Sequence, residues 1–462
     1  MHRTLVAGRY GLPLVGAFIL VLFALATAAP DARSDDLVRK GYFGIAVRPT
    51  TAGDREKQKL KDENGVIVDR VLPDSSAALA GIQPGDIVIS LDGNGIKSPS
   101  QFIEALAARR PGETLTIVLV RDEEQTTKKA ALKPLPPETS DASRVIYGSV
   151  VSRGKRLRTI VTRPIDDKKH PALFVIQGLG SFSIESIPGT PGPYARMIDE
   201  FAHHEFVTMR VDKPGQGDSE GGPTRDMDFE TELDGYRQTL KALKGFDFVD
   251  PENVIVFGHS MGGVMGPLLG AEIPFKGIAT YGTAARTWHE YTQENVRRQM
   301  ALGGSDFAEI DRILRKEANI DHYINEGLSP SEIVVKHPEL KEQVDERYSE
   351  GKYHATTHYE YFRQLATKNL AEAWQKFGGR TLAAWGKADF ISAEEDHALI
   401  ARIINRAHSG YGVFIALDGI DHGFNHALSQ EDSFKNFRKP DRKYNSVFLD
   451  ALQDWASKVV RE

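Results

Sequence analysis

Apolar and polar residues alternate in two different ways along the chain, and the change divides it into two parts. Residues 40–132 carry short alternating runs separated by Gly, Pro and Asp, which is typical of a small β-rich unit. A helix is predicted at 100–109, because Ser98-Pro99 is a start signal and the apolar positions that follow share one face. The predicted strands of this unit are 44–47, 65–68, 86–89 and 115–120.

From about residue 145 onward, near-continuous apolar runs alternate with helical patterns, which indicates a mostly parallel sheet covered on both faces. A proline-rich polar stretch at 133–144 is predicted to be the linker between the two units. A long, charged, helix-patterned segment interrupts the second unit, and we interpret about 286–377 as a lid. The predicted strands are 157–161, 172–176, 206–211, 254–257, 277–280, 381–385 and 412–416.

Composition narrows the function classes. The chain has 462 residues, of which 40% are apolar and 26% charged, as in soluble globular proteins. A net charge of -6 gives no electrostatic reason to expect nucleic acid as a partner. The chain has no cysteine, which excludes disulfides, thiolate catalysis and cysteine-ligated zinc. We expect no cofactor and no metal.

The first thirty residues indicate the compartment. Arg3 and Arg9 precede a charge-free stretch that ends in the small-residue pattern Ala26-Thr27-Ala28. This pattern predicts a cleavable signal peptide at 1–28 and an exported protein, either periplasmic or secreted. The alternative is a retained membrane anchor, because the uncharged stretch approaches the roughly 20 residues that cross a bilayer.

The β-rich unit contains a specific motif. Residues 71–88 read VLPDSSAALAGIQPGDIV and are followed by LDG at 91–93. This stretch resembles the circularly permuted PDZ domains of bacterial envelope proteases. The resemblance implies a carboxylate-binding loop at Tyr42, Phe43, Gly44 and Ile45, where backbone N–H groups would hold the C-terminus of a protein or peptide. The alternative is a glycine-rich turn in a domain that packs on its neighbour and binds nothing.

The decisive motif of the second unit is Gly258-His259-Ser260-Met261-Gly262, directly after the predicted strand 254–257. A nucleophile on a sharp strand-to-helix turn needs small neighbours, and the two glycines supply them. We therefore predict Ser260 as the nucleophile. The N–H of Met261 is expected to donate to the oxyanion, since it opens the following helix.

An acid and a histidine are expected after later strands, in that chain order. Asp389 follows the strand 381–385, and His422 follows the strand 412–416. We predict His422 as the base and Asp389 as the carboxylate that fixes its tautomer. The rivals fall in predicted helices or away from strand ends; they are Glu394 and Asp396 for the acid and His397, His408 and His426 for the base.

With these residues in order, the chain from 149 to 462, apart from the lid, resembles the α/β-hydrolase fold. The resemblance implies a second oxyanion donor in the loop after strand 172–176, and we predict the N–H of Leu179. Many relatives have a histidine where this chain has Gln177. The turn DKPGQGDSEG at 212–221 looks like the family's glycine-rich turn and is expected to shape the wall of the site.

The predicted lid offers weaker signals. His354 and His358 lie four residues apart in a helix-like stretch, and we interpret them as solvated rather than metal-binding, since no third ligand is evident. Several lid aromatics could line a substrate pocket or pack the lid itself; they are Trp288, Tyr291, Tyr353, Tyr359 and Tyr361.

Two functions are compatible with these patterns. The first is an exported serine hydrolase that forms an acyl-enzyme with an ester, thioester or peptide, with the PDZ-like domain binding a peptide or protein. The second is a catalytically silent hydrolase-fold scaffold that recruits partners through the PDZ-like domain. The ordered triad favours the enzyme. A membrane is expected as a partner only if the N-terminal segment is retained.

Overall fold

The structure is a computed structural model that describes residues 37–60, 65–107, 109–141, 143–180, 182–186, 191–354, 356–437, 439 and 442–462. All of these residues fall within one compact unit. The predicted signal peptide at 1–28 lies outside the described residues. Within the described ranges, no helix combines the length and the apolar character needed to cross a bilayer.

The N-terminal part of the described chain is a small β-rich domain, as predicted. The strands are β1 (Gly41–Tyr42), β2 (Ile45–Pro49), β3 (Val66–Val71), β4 (Ile87–Leu91), β5 (Asn94–Gly95), β6 (Thr114–Arg121), β7 (Glu124–Ala131) and β8 (Lys133–Pro134). Six of them form an antiparallel sheet in the order β2-β3-β4-β6-β7, with β5 paired to β4, around a core that includes Phe43 and Val68. The helices are α1 (Ala52–Lys57), α2 (Ser76–Leu79) and α3 (Pro99–Ala107).

The second part contains an eight-stranded sheet. The strands from this part of the chain are β9 (Ser143–Ser152), β10 (Lys155–Pro164), β11 (His170–Ile176), β12 (Val207–Val211), β13 (Val249–His259), β14 (Gly277–Tyr281), β15 (Tyr353–His354), β16 (Thr357–His358), β17 (Arg380–Gly386) and β18 (Gly412–Leu417). The order in the sheet is β9-β10-β12-β11-β13-β14-β17-β18. The pairs β9–β10 and β10–β12 are antiparallel, and all other neighbours are parallel.

Helices cover both faces of this sheet. In β11, Phe174 joins the core on one face and Val175 joins the core on the other, which explains why a central parallel strand is apolar throughout. The helices are α4 (Pro193–His203), α5 (Phe229–Lys244), α6 (Met261–Gly270), α7 (Trp288–Leu302), α8 (Phe307–Asn325), α9 (Pro330–Lys336), α10 (Lys341–Arg347), α11 (Tyr359–Ala366), α12 (Leu370–Phe377), α13 (Glu394–Ala407), α14 (Gln430–Asn436) and α15 (Val447–Val459). The predicted α/β-hydrolase architecture is confirmed.

The six helices α7–α12 lie between β14 and β17 and form the inserted lid segment. The lid has a small apolar core of its own, which includes Ile320 and Val344. One detail of the prediction is wrong. The segment around His354 and His358 is not a helix, because these residues end two short antiparallel strands, β15 and β16.

The β-rich domain contacts the hydrolase domain through buried charges at its start. The Arg39 guanidinium donates to the carboxylates of Glu185 at 2.7 Å and Asp218 at 2.6 Å. The N–H of Lys40 also donates to Asp218, at 2.8 Å. Both carboxylates are almost fully buried, so this cluster fixes the point at which the chain enters β1.

Candidate active site

Ser260 occupies a strained turn between β13 and α6. Its backbone has φ +54° and ψ −118°, a conformation that residues with a side chain rarely adopt. A Cβ at Gly258 would lie 2.4 Å from the carbonyl oxygen of Gly262, and a Cβ at Gly262 would lie 2.2 Å from that of Ile176. The turn therefore requires glycine at both positions, as the sequence analysis expects.

The structure brings His422 and Asp389 together. The Nδ1 of His422 lies 2.9 Å from the Oδ2 of Asp389. Asp389 is fully buried and also accepts hydrogen bonds from the N–H of Ile391 at 2.7 Å and from the hydroxyl of Ser392 at 2.6 Å. Since a carboxylate only accepts, Nδ1 carries a proton, and in the neutral ring Nε2 therefore keeps the lone pair.

Electrostatics within this pair favour the charged forms. Burial works to raise the pKa of Asp389, but the attraction of the His422 ring and the hydrogen bonds from His422 and Ser392 outweigh it and lower the pKa to about 2. Burial works to lower the pKa of His422, yet the facing Asp389 carboxylate raises it above its ordinary 6.5. Asp389 is therefore ionised at neutral pH, as an orienting carboxylate must be.

Ser260 and His422 line the same cavity, which has a volume of about 720 Å³. Met261 and Leu179 also line it. Gly282 lines it too and packs against the pair, because a Cβ there would lie 2.8 Å from the Nδ1 of His422 and 3.2 Å from the Oδ2 of Asp389. The cavity thus collects the residues that the sequence analysis proposed for the nucleophile, the base and the oxyanion hole.

The loop that carries Leu179 packs directly on Ser260. A Cβ at Gly178 would lie 3.0 Å from the Cβ of Ser260, which is tighter than most side-chain contacts, so glycine favours this approach. Met261 is the first residue of α6, where N–H groups have no partner within the helix. Leu179, next to Gly178, and Met261, next to Ser260, therefore both line the cavity beside Ser260.

Three further residues at the site were missed by the sequence analysis. His259 bridges two loops: its Nε2 donates to the carbonyl of His422 at 3.0 Å, and its Nδ1 accepts from the hydroxyl of Tyr194 at 2.7 Å. Lys213, from the glycine-rich turn, donates to the carbonyl of Gly178 at 2.7 Å. His259 and Lys213 stand inside quoted motifs, but their partners come from distant elements, so the motifs gave no signal of these contacts.

Two of the rival residues, Asp396 and His397, hold the framework together. The Asp396 carboxylate accepts from the N–H of Ala285 and from the guanidinium of Arg286, both at 2.9 Å. The Nε2 of His397 accepts from the N–H of Thr283 at 3.0 Å. These contacts fix the segment after β14, and neither Asp396 nor His397 is among the described residues that line the cavity with Ser260.

A second cavity of about 550 Å³ lies under the lid and adjoins the first, since Leu179, Trp288 and Tyr291 line both. His354 also lines it and is half-buried, and burial lowers its pKa to about 4. The other lid aromatics differ: Tyr361 is fully buried in the core of the hydrolase domain, the buried Tyr353 donates its hydroxyl to Asp226, and Tyr359 packs on the lid's own core. The described residues contain no group of three side chains suited to a metal ion.

The predicted carboxylate-binding loop lies at the open edge of the β-rich sheet. Gly44 has φ +80°, and a Cβ there would lie 2.2 Å from the Cβ of Ser75. Phe43 is buried, Tyr42 ends β1, and Ile45 begins β2, which is the first strand in the sheet order. An edge strand of this kind can accept an added peptide strand.

Comparison with known families gives two matches. Residues 41–132 match a family described as PDZ domain, and residues 189–426, more than half of the chain, match a family described as serine aminopeptidase, S33.

The curated relatives match a small part of the chain. They include the serine endoprotease DegS of Escherichia coli (strain K12), 32% identical over 122 residues that cover 26% of this chain and 34% of that protein. They also include a probable periplasmic serine endoprotease DegP-like of Pseudomonas fulva, 28% identical over 160 residues that cover 33% of each protein. The chain spans about a third of the length of these relatives.

Solved structures similar to the chain include Est1E from Butyrivibrio proteoclasticus, with 15% identity and a TM-score of 0.42, which covers 69% of this chain and 100% of that one. They also include an esterase from Pyrococcus furiosus, with 12% identity and a TM-score of 0.42, which covers 70% of this chain and 96% of that one.

Proposed function

Because the chain belongs to the serine aminopeptidase S33 family of α/β-hydrolases, we propose that it is an exported serine hydrolase that cleaves a carboxylic ester or a peptide bond. We propose Ser260, His422 and Asp389 as its triad. The observation that supports this proposal is the His422–Asp389 pair at the cavity where Ser260 stands on its strained turn.

In the first half of the reaction, the Oγ of Ser260 attacks the substrate carbonyl while the Nε2 of His422 takes the serine proton. The tetrahedral oxyanion accepts hydrogen bonds from the N–H groups of Met261 and Leu179. Such donors each contribute about 10²–10³ in rate, because they are already oriented where the charge develops. The imidazolium then returns its proton to the leaving alcohol or amine, which leaves an acyl-enzyme on Ser260.

In the second half, water attacks the acyl-enzyme while His422 takes one of its protons. The second tetrahedral intermediate collapses, the carboxylic acid leaves, and the proton returns to Ser260. Asp389 holds the imidazole in one tautomer throughout and stabilises its charged form.

His259 supports this cycle by staying neutral. Its ring centre lies 5.0 Å from that of His422. Burial, followed by repulsion from His422, lowers the pKa of His259 to about 3, so it carries no charge at neutral pH. A charged ring at that distance would oppose formation of the His422 imidazolium.

For the β-rich domain, we propose that the edge of β2 binds the C-terminus of a peptide or protein. The open edge of β2 and the turn at Gly44 support this role, because they suit strand addition and capture of a carboxylate. Export rests on the N-terminal sequence pattern and on the periplasmic description of the DegP-like relatives.

Labelling with a fluorophosphonate probe tests the enzymatic proposal. We expect the full chain to be labelled, Ser260→Ala to lose all labelling, and Ser331→Ala, at an exposed serine of the lid helix α9, to label like the wild type. Absence of labelling in folded wild type would instead favour the silent scaffold. A panel of p-nitrophenyl esters and peptide amides then separates esterase from peptidase activity.

A further inference from the structure

Lys213 is a buried lysine at the back of the proposed oxyanion loop. It follows β12 by two residues and is 2% exposed. Its ammonium donates to the carbonyl oxygens of Gly178 at 2.7 Å and Gly180 at 3.4 Å, the residues on either side of Leu179. Burial of an ammonium is unfavourable unless partners compensate it, so the buried position of Lys213 needs a structural explanation.

The charge of Lys213 is balanced within the protein. Its Nζ lies 2.9 Å from the Oε1 of Glu232 on α5, and both side chains are almost fully buried. Glu232 also accepts from the hydroxyl of Tyr236 at 3.2 Å and from that of Tyr361, on the lid helix α11, at 2.8 Å. The ammonium can therefore act on the loop without adding net charge beside the catalytic cavity.

The geometry of the peptide bond links Lys213 to the oxyanion hole. The carbonyl of Gly178 and the N–H of Leu179 belong to one planar peptide unit, and in a trans peptide they point in opposite directions. A hydrogen bond that holds this carbonyl towards Lys213 therefore turns the Leu179 N–H away from Lys213. Leu179 lines the same cavity as Ser260, and an N–H that points away from Lys213 can face that cavity.

The loop needs such an anchor because its own sequence does not fix it. Gly178 and Gly180 flank Leu179, and Gly180 adopts φ +141°, a conformation open mainly to glycine. The N–H of Gly178 is held separately, since it donates to the hydroxyl of Tyr194 at 3.3 Å. Lys213 thus restrains the one peptide plane that carries the predicted donor.

We propose that Lys213 is a positioning residue of the hydrolytic reaction, which orients the Leu179 N–H towards the oxyanion by holding the carbonyls of Gly178 and Gly180. This inference rests on the proposed function. It assigns a catalytic purpose to the glycine-rich turn at 212–221, which the sequence analysis expected only to shape the wall of the site.

The test compares Lys213→Met with the double variant Lys213→Met/Glu232→Gln, which removes the buried carboxylate charge that the single variant leaves unpaired. Lys244→Met is the matched control, because Lys244 also donates to a backbone carbonyl, that of Pro274 at 2.7 Å, but is exposed. The readouts are kcat and KM for p-nitrophenyl butyrate, the rate of fluorophosphonate labelling, and the melting temperature.

We expect kcat and the labelling rate to fall by at least about 30-fold in a folded Lys213 variant, because both reactions place a developing negative oxygen at the misaligned donor. KM should change by less than about threefold, because the ground-state carbonyl depends less on that donor. Lys244→Met should match the wild type in every readout.

Wild-type labelling and turnover in either folded Lys213 variant would overturn the inference while leaving the proposed function intact. A rise in KM with unchanged kcat would also overturn it, because that pattern indicates lost substrate binding. A wild-type protein that is never labelled at Ser260 would instead overturn the proposed function itself.

Discussion

The substitution Asp389→Asn is expected to abolish turnover by reversing the tautomer of His422. In the structure, Oδ1 of Asp389 accepts from the backbone N–H groups of Ile391 at 2.7 Å and Ser392 at 3.0 Å, while Oδ2 faces the His422 ring. An asparagine would keep its oxygen towards the two backbone donors, and its NH₂ group would then face Nδ1. Because Nδ1 would have to accept, the ring proton would move to Nε2, which could no longer take the proton of Ser260.

The expected size of this effect follows from that reversal. Loss of the correct tautomer at an otherwise intact triad costs about 10⁴ in kcat, or about 5.5 kcal/mol in the activation barrier. The Ser392→Ala variant removes one of the four hydrogen bonds to Asp389 but leaves the carboxylate in place. It should therefore lose no more than about tenfold, since one hydrogen bond contributes about 1 kcal/mol.

The assay is turnover of p-nitrophenyl butyrate per folded molecule, with folding checked by circular dichroism and thermal melting. Asp396→Asn is the matched control, because Asp396 is an equally buried carboxylate that binds Arg286 instead of a catalytic group. It should keep turnover within about threefold of the wild type. A folded Asp389→Asn protein that loses less than about tenfold, or an Asp396→Asn protein that loses about 10⁴, would refute the assignment of the acid.

Three further predictions concern pH, the strained turn and the contact between the domains. Because the reaction needs neutral His422, whose pKa is raised by Asp389, kcat/KM should fall as the pH drops through a value above 6.5; an acidic limb centred below 6.5 in a kcat/KM profile would contradict this. Gly262→Ala should destabilise the fold by about 3 kcal/mol in urea unfolding, because its Cβ would lie 2.2 Å from the carbonyl oxygen of Ile176. Gly266→Ala in the same helix, where the nearest side-chain atom would be 3.6 Å away, should be neutral or stabilising by up to about 1 kcal/mol; equal losses would argue against the steric reason. Arg39→Met should lower the free energy of unfolding by about 3 kcal/mol, since it leaves the buried carboxylates of Glu185 and Asp218 short of a partner. Arg48→Met, at a partly exposed ion pair, should lower it by less than about 1 kcal/mol. Similar values for both variants would show that the buried cluster adds no stability.

The elements that the sequence predicts well are those whose pattern has one explanation. All seven predicted strands of the hydrolase domain are present, because a strand buried on both faces needs an apolar run such as 172–176. Two long strands, β7 and β9, were missed. Of these, β7 reads EQTTKKAA and shows no apolar alternation, so the eight residue pairs that it forms with β6 define it.

The candidate site shows the same contrast between features that a local motif predicts and contacts that depend on the whole fold. The turn at Ser260 could be predicted because its geometry demands glycine two residues before and two residues after the serine, a requirement that a short motif displays. The roles of Lys213, Tyr194 and His259 could not, because each depends on a partner that only the folded chain brings near. The same holds for Arg39, whose partners lie 146 and 179 residues away in the sequence.

The central claim is that Ser260, His422 and the N–H groups of Met261 and Leu179 act on one tetrahedral centre. A crystal structure of the fluorophosphonate adduct tests it most directly. We expect the phosphorus to be bonded to the Oγ of Ser260, with its oxygen about 3 Å from the backbone nitrogens of Met261 and Leu179. An adduct on another residue, or a phosphonyl oxygen directed away from both nitrogens, would contradict the account.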